Sequence, residues 1–275
     1  MKARFKLGMT ALAAAATLVA VAPGSGSADA VRLKAYGISS DGTLMAAFKT
    51  DTPEVLDWVR NPVGLVTDTA LIGIDFRVQD GKLYAVGNYG GIYTVSLAAG
   101  SECTLTKVSQ LTVALKGTYF GVDFNPAADR LRVISDNGQN LRHDLNTNTT
   151  AIDSPLSATY VSAAAYTNND LNADTATTLF DVNTDTDQTV IQSPPNNGTL
   201  AATGSLGVNA AANAGLDVYS VLGRGKTVSN SAFGTFISAL GSSTFYTVDL
   251  LTGAATAVGK FPLAITDVAV ALDQS

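Results

Sequence analysis

Four aspartates recur in one short phrase. Gly73-Ile74-Asp75-Phe76 and Gly121-Val122-Asp123-Phe124 are near-copies, and Gly215-Leu216-Asp217-Val218 and Ile265-Thr266-Asp267-Val268 are weaker ones. A fifth copy, Ala163-Ala164-Ala165-Tyr166, has alanine where the others have aspartate. Carboxylates gathered around an axis have three chemical uses. They could hold a hard cation such as calcium, which takes several oxygen ligands. They could bind sugar hydroxyls, or they could supply an acid–base pair. A fourth role is structural: each carboxylate accepts backbone N–H groups at a junction, since buried polar groups must be paired. Recurrence in nearly every unit favours this structural role, because an active site is usually asymmetric whereas packing needs repeat.

The densest polar group is Arg130, Arg132 and Arg142 with Asp129, Asp136 and Asn140. On neighbouring strands it forms either a ligand-binding wall between units or an ion-pair network on an exposed sheet face. Surface networks of this kind are common and individually weak. His143 is the only histidine, which excludes a histidine-cluster zinc site. Its place in the repeat matches Thr94, Asp181 and Thr247 and predicts a solvent-facing strand position. Cys103 is the only cysteine, so no internal disulfide forms. We expect it to be a partly buried free thiol without a base to activate it. Asp181-Val182-Asn183-Thr184-Asp185-Thr186-Asp187 mimics the start of a calcium loop. It lacks the glycine at the sixth place (Thr186) and the glutamate at the twelfth (Gln192). The repeat explains it as a strand and a hairpin turn.

The elements that must position these residues are themselves repeated. A second phrase is an alternating strand that runs into a polar turn. It reads Ile92-Tyr93-Thr94-Val95 before Gly100, Leu141-Arg142-His143-Asp144 before Asn146, Leu179-Phe180-Asp181-Val182 before Asp185, and Phe245-Tyr246-Thr247-Val248 before Gly253. A faint copy opens at Leu44. Between the two phrases lies a third short strand, as in Lys82–Val86 and Arg130–Ile134. Each unit of about 40–50 residues thus holds about four strands, the size of a propeller blade. Turn residues such as Asp80-Gly81, Asn137-Gly138 and Asn197-Gly198 separate them. The reading is all-β: a propeller of five four-stranded antiparallel blades. The C-terminal strand Ile265–Leu272 completes the first blade and closes the ring, which hides the two edges of an open array. Gly223–Ser231, Thr167–Thr175 and Ser193–Thr199 are expected to be loops.

The first 30 residues have a basic start (Lys2, Arg4, Lys6), an apolar run from Leu7 to Ala22 and a small-residue site at Ala28-Asp29-Ala30. This is the pattern of a secretory signal peptide. The mature chain is then 31–275, a single domain, secreted or periplasmic, with no membrane insertion after cleavage. Net charge is −6, and without the leader there are 14 basic against 22 acidic residues. An acidic surface repels phosphate backbones, so nucleic acid is excluded as a partner. Glu54 and Glu102 are the only glutamates.

The stretch Gly121–Val133 with Ser135-Asp136-Asn137-Gly138-Gln139-Asn140-Leu141-Arg142, then Ala165–Asn169 and Pro194–Leu200, resembles a family of exported bacterial proteins, the domain of unknown function 4394. The resemblance covers nearly the whole mature chain. It implies a secreted or periplasmic propeller-like protein and brings no activity with it. Three functions fit. The favoured one is a monomeric binding module for a glycan or protein partner, with Asp75, Asp123, Asp217, Asp267, Arg130, Arg132, Arg142 and Asn140 as candidate ligand residues. No cofactor is required, although the aspartate ring could take calcium. The alternatives are a glycan hydrolase or lyase that uses aspartates, since such hydrolysis needs a carboxyl pair, and a structural protein of the cell envelope.

Overall fold

The computed structural model describes residues 32–274, so the expected leader at 1–30 lies outside the described residues. Twenty strands follow one another. The first seven are β1 (Lys34–Ser39), β2 (Met45–Lys49), β3 (Leu56–Val63), β4 (Leu71–Arg77), β5 (Lys82–Gly87), β6 (Gly91–Val95) and β7 (Glu102–Gln110). Next come β8 (Phe120–Asn125), β9 (Arg130–Ser135), β10 (Asn140–Asp144), β11 (Thr149–Ile152), β12 (Val161–Tyr166), β13 (Leu179–Asn183), β14 (Gln188–Gln192) and β15 (Leu200–Ser205). The last five are β16 (Ala214–Gly223), β17 (Lys226–Ile237), β18 (Ser243–Val248), β19 (Ala255–Lys260) and β20 (Ile265–Val270). A single 3-10 turn, Pro195–Asn197, is the only helical element among the described residues. No helix there is long and apolar enough to cross a membrane.

Three sheets are four-stranded: β8 to β11, β12 to β15 and β16 to β19. The remaining eight strands form one sheet in the order β20-β1-β2-β3-β7-β6-β5-β4. Within it, β20-β1-β2-β3 and β4-β5-β6-β7 are each antiparallel. A short parallel ladder joins them, in which Asn61, Pro62 and Val63 of β3 face Glu102, Cys103 and Thr104 of β7. Pro62 lies beyond the part of β3 that pairs with β2, which ends at Arg60, so its missing N–H breaks no bond of that ladder. The C-terminal β20 pairs with the N-terminal β1, as the offset of the repeat requires. The innermost strands contact one another in the order β20, β4, β8, β12, β16 and back to β20.

Sheets therefore stack face to face around an axis, and apolar clusters fill each gap. Tyr36 and Met45 meet Ile74 and Leu83 in one gap, and Tyr84 and Val86 meet Val122 and Val133 in the next. Ile134 meets Tyr166, Ala163 meets Leu216, and Phe233 and Phe245 meet Phe48 and Val268. Because both faces are covered, inner strands lose the alternation of a half-exposed sheet. All six residues of β12 and of β20 are buried. The same geometry corrects two expectations. His143 is fully buried rather than solvent-facing, and Cys103 is fully rather than partly buried. A third correction concerns Gly223–Ser231, which is not a loop. β16 and β17 extend as one long hairpin that turns at Arg224-Gly225. The gaps at Thr167–Thr175 and Ser193–Thr199 do lie between strands.

Candidate functional site

The aspartate phrase is explained by the inner ring. Asp75 on β4 accepts the Phe124 N–H of β8 at 2.7 Å, and Asp123 on β8 accepts the Tyr166 N–H of β12 at 3.0 Å. Asp217 on β16 accepts from Val270 of β20, and Asp267 on β20 accepts the Ile74 N–H of β4 at 2.8 Å. Each carboxylate ties its strand to the next around the ring. The β12–β16 junction lacks such a tie because Ala165 stands in the aspartate's place, and Ala163, Leu216 and Val218 pack there instead. The glycine of the phrase permits the approach. A Cβ on Gly121 would sit 2.7 Å from backbone atoms of Ala163 and Ala164, and one on Gly215 would sit 2.6 Å from the Thr266 carbonyl oxygen.

These four carboxyls are buried, and one oxygen from each of Asp75, Asp123 and Asp217 lies within 4.8 Å of the other two. Burial raises all four pKa values, that of Asp217 to about 6. Repulsion from Asp217 adds to the shift at Asp75, and repulsion from Asp75 and Asp217 adds to it at Asp123. Oxygens at this spacing could surround a hard cation. They could equally share protons among themselves.

The arginine group separates into two. Arg132 is almost wholly buried between the β8–β11 and β12–β15 sheets. Its Nη1 donates to Asn140 Oδ1 (2.7 Å) and Asp153 Oδ2 (2.6 Å), its Nη2 to Asn196 Oδ1 (2.8 Å), and its Nε to Tyr166 Oη (3.3 Å). Arg142 makes a bidentate pair with the same Asp153. Asn140 Nδ2 donates to the carbonyls of Ser154 and Pro195. The network therefore fastens the Ser193–Thr199 loop to the neighbouring sheet; Arg132 and Asn140 do not lie on an exposed face. Arg130 stands apart, paired with Asp144 at 3.0 Å. Across the same gap, Asp181 is fully buried with neither oxygen hydrogen-bonded. Burial raises its pKa, and the charge of Arg132 offsets part of that rise. It belongs to β13, not to a calcium-type loop.

His143 reaches Ser109 Oγ through Nε2 (2.7 Å) and Thr150 Oγ1 through Nδ1 (2.9 Å). Ser109 in turn donates to Asn148 Oδ1. The group ties β7 to β10 and β11.

Sequence reasoning missed a cavity of about 230 Å³ at one end of the ring axis. Residues that lead into the inner strands line it: Ala70 and Leu71 before the β4 phrase, Thr118, Tyr119 and Phe120 before the β8 phrase, Asn213 before β16, and Thr266 in β20. Ser39 at the end of β1, with Ser40 and Asp41 after it, completes the wall. The signal was available, because the residues just ahead of each Gly-x-Asp phrase must gather at one end of a closed ring. Ser39 Oγ and the Thr43 N–H both donate to Asp41 Oδ1. These bonds lower the Asp41 pKa and keep this exposed carboxylate charged at neutral pH. The lining offers hydroxyls, one amide and one carboxylate, and no arginine or lysine.

The fold is similar to a chain in the crystal structure of a nidogen–laminin complex, with a TM-score of 0.51 and 10% identity over 88% of this chain and 100% of that one. An auxiliary nutrient binding protein from Bacteroides thetaiotaomicron VPI-5482 aligns at TM-score 0.47 and 10% identity, over 80% of this chain and 57% of that one. TolB from Acinetobacter baumannii aligns at 0.46 and 11%, over 89% and 68%. At such identities the likeness concerns the propeller-like fold alone. No curated protein matches the sequence. The family defined as a domain of unknown function (DUF4394) matches residues 44–269, and the chain belongs to that family.

Proposed function

We propose that this chain is an exported, monomeric, five-bladed β-propeller that acts as a binding module for a neutral glycan, seated at the axial mouth. For the blade count, the eight-stranded sheet is taken as two blades that share an outer edge. The antiparallel pairing within each half and the apolar cluster in each of the five gaps support that count. The observation that carries the functional reading is the lining of the cavity. Hydroxyls that both donate and accept, the Asn213 amide and the charged Asp41 suit a polyhydroxylated ligand. The lack of a lining cation disfavours a phosphate or carboxylate ligand. The cavity is smaller than a typical drug-sized site of roughly 300–1,000 Å³ and suits one sugar residue. The glycan hydrolase reading is weaker, because the closely spaced carboxyls are buried and at least one oxygen of each is held by a backbone N–H. The same bonds support a structural role for the ring and need no calcium.

The test is thermal unfolding of the mature protein with neutral mono- and oligosaccharides, with calcium and with EDTA. A sugar at a hundredfold excess over its Kd stabilises by about 2.7 kcal/mol, a rise of roughly 5–10 °C for a domain of this size. Asp41→Asn with Asn213→Ala should abolish that rise. A rise in the double variant equal to that in wild type removes the mouth from consideration, and a calcium response that EDTA reverses would return the search to the aspartate ring.

A further inference from the structure

Left-handed backbone is ordinary for Asn or Asp in a turn and an outlier for a bulky or β-branched residue. Among the described residues such outliers are Thr67 (φ 76°), Tyr160 (φ 62°) and Arg224 (φ 56°), the last at the β16–β17 hairpin turn. Thr67 and Tyr160 lie in loops that lead into inner strands, β4 and β12 respectively, at the same end of the ring as the cavity. Backbone strain of this kind persists only where the surroundings enforce it.

At Tyr160 the surroundings do so. Its N–H donates to the Asp136 carbonyl at 2.6 Å, and its carbonyl accepts the Thr184 N–H at 2.9 Å and the Thr184 hydroxyl at 3.1 Å. Asp136 also braces two residues of the cavity wall. Its N–H donates to the Tyr119 carbonyl, and its carboxylate accepts the Thr118 N–H. Asp136 thus holds Thr118 and Tyr119 on one side and Tyr160, from the loop before the next sheet, on the other. The Tyr160 side chain gains little from burial, for it is 51% exposed. A strained backbone that holds an exposed aromatic residue, joined through Asp136 to the wall of a polar cavity at the same end of the ring, is costly for stability alone.

We propose that Tyr160 is an aromatic subsite on the rim of the axial mouth, where a sugar residue of a longer neutral glycan stacks its apolar face on the phenol ring while another residue of the same chain occupies the cavity. This inference rests on the reading of the mouth as a glycan site and adds to it a preference for chains over single sugars. An aromatic ring suits that role, because it offers a flat apolar face with a polar tip and few rotors to freeze.

The experiment compares wild type, Tyr160→Asn and Tyr160→Phe by calorimetric titration with cello-, malto-, chito- and xylo-hexasaccharides and their monosaccharides, alongside thermal unfolding. Asn tolerates the left-handed conformation. Tyr160→Asn should therefore unfold about 2 °C higher than wild type while it binds the hexasaccharide at least tenfold more weakly and the monosaccharide equally well. Tyr160→Phe should retain hexasaccharide binding. A lower unfolding temperature for Tyr160→Asn would make Tyr160 a packing residue and overturn the proposal. Hexasaccharide affinity unchanged in Tyr160→Asn would overturn it too, yet leave the mouth as a sugar site. If no saccharide binds wild type, the glycan reading falls and this subsite falls with it.

Discussion

Replacing Asp123 with asparagine should stabilise the protein, and only on the alkaline side. In wild type, Asp123 accepts the Tyr166 N–H through Oδ1, and it faces Asp75 and Asp217 with all three carboxyls within 4.8 Å. Two unit charges at that distance repel by about 3.5 kcal/mol at an effective dielectric constant of 20. Burial and this repulsion raise the Asp75 and Asp123 pKa values, which favours the protonated carboxyls in the folded protein. The sign follows from proton linkage. Between an unfolded pKa near 3.8 and the higher folded one, the native state binds more protons than the unfolded chain, so stability falls as pH rises. For Asp217 alone, whose folded pKa is about 6, the loss accumulates between pH 4 and 6 and amounts to roughly 3 kcal/mol. The amide introduced by Asp123→Asn would keep an acceptor for the Tyr166 N–H and carry no charge. The variant should match wild type near pH 4 and exceed it at pH 8 by about 3 kcal/mol, or on the order of 5–10 °C in Tm. Urea unfolding of both proteins from pH 4 to 8 measures the difference directly. A difference independent of pH would refute the proton-sharing ring. A variant less stable than wild type at pH 8, with a wild type that EDTA weakens, would mean that a cation fills the ring.

Three further outcomes follow from the buried groups. Asp181→Val should raise stability by about 1–3 kcal/mol at pH 8, because it removes a carboxyl with no hydrogen-bond donor; a lower urea midpoint would show that Asp181 does have a partner. Asp153→Ala should cost about 3–5 kcal/mol, since it strands the buried Arg132, and should expose the Ser193–Thr199 loop to protease; resistance equal to wild type would contradict the proposed fastening. Burial lowers the His143 pKa below 6.5, so its contribution is present above that pH and is lost as pH falls toward the folded pKa. Stability should therefore fall more steeply below pH 6.5 in wild type than in His143→Gln, and parallel curves would be inconsistent with a neutral buried imidazole.

The sequence by itself determined the architecture. Near-copies of one phrase at intervals of about 50 residues call for a stack of similar sheets, and the unmatched phrase at Ile265–Val268 suits a partner of the first strands, which the β20–β1 pairing bears out. It also carried the structural role of the repeated aspartates, because a need that recurs in four of five copies is a need of the junction between units. Whether a residue between sheets is buried was not legible. His143 occupies an alternating strand that reads as half-exposed, but a ring covers both faces of each sheet, and only the closure of that ring reveals the burial. Arg132 and Arg142 were visible as a charged group. Their division of labour around Asp153 depends on a loop, Ser193–Thr199, that arrives from another sheet about 60 residues later. The axial mouth is assembled from short segments at the starts of four inner strands and from the turn after β1, and only their shared place beside the repeated phrase marks them in the sequence. Tertiary structure decides such a site because its residues share only a position relative to the axis, and position relative to an axis is a property of the closed ring rather than of any stretch of chain.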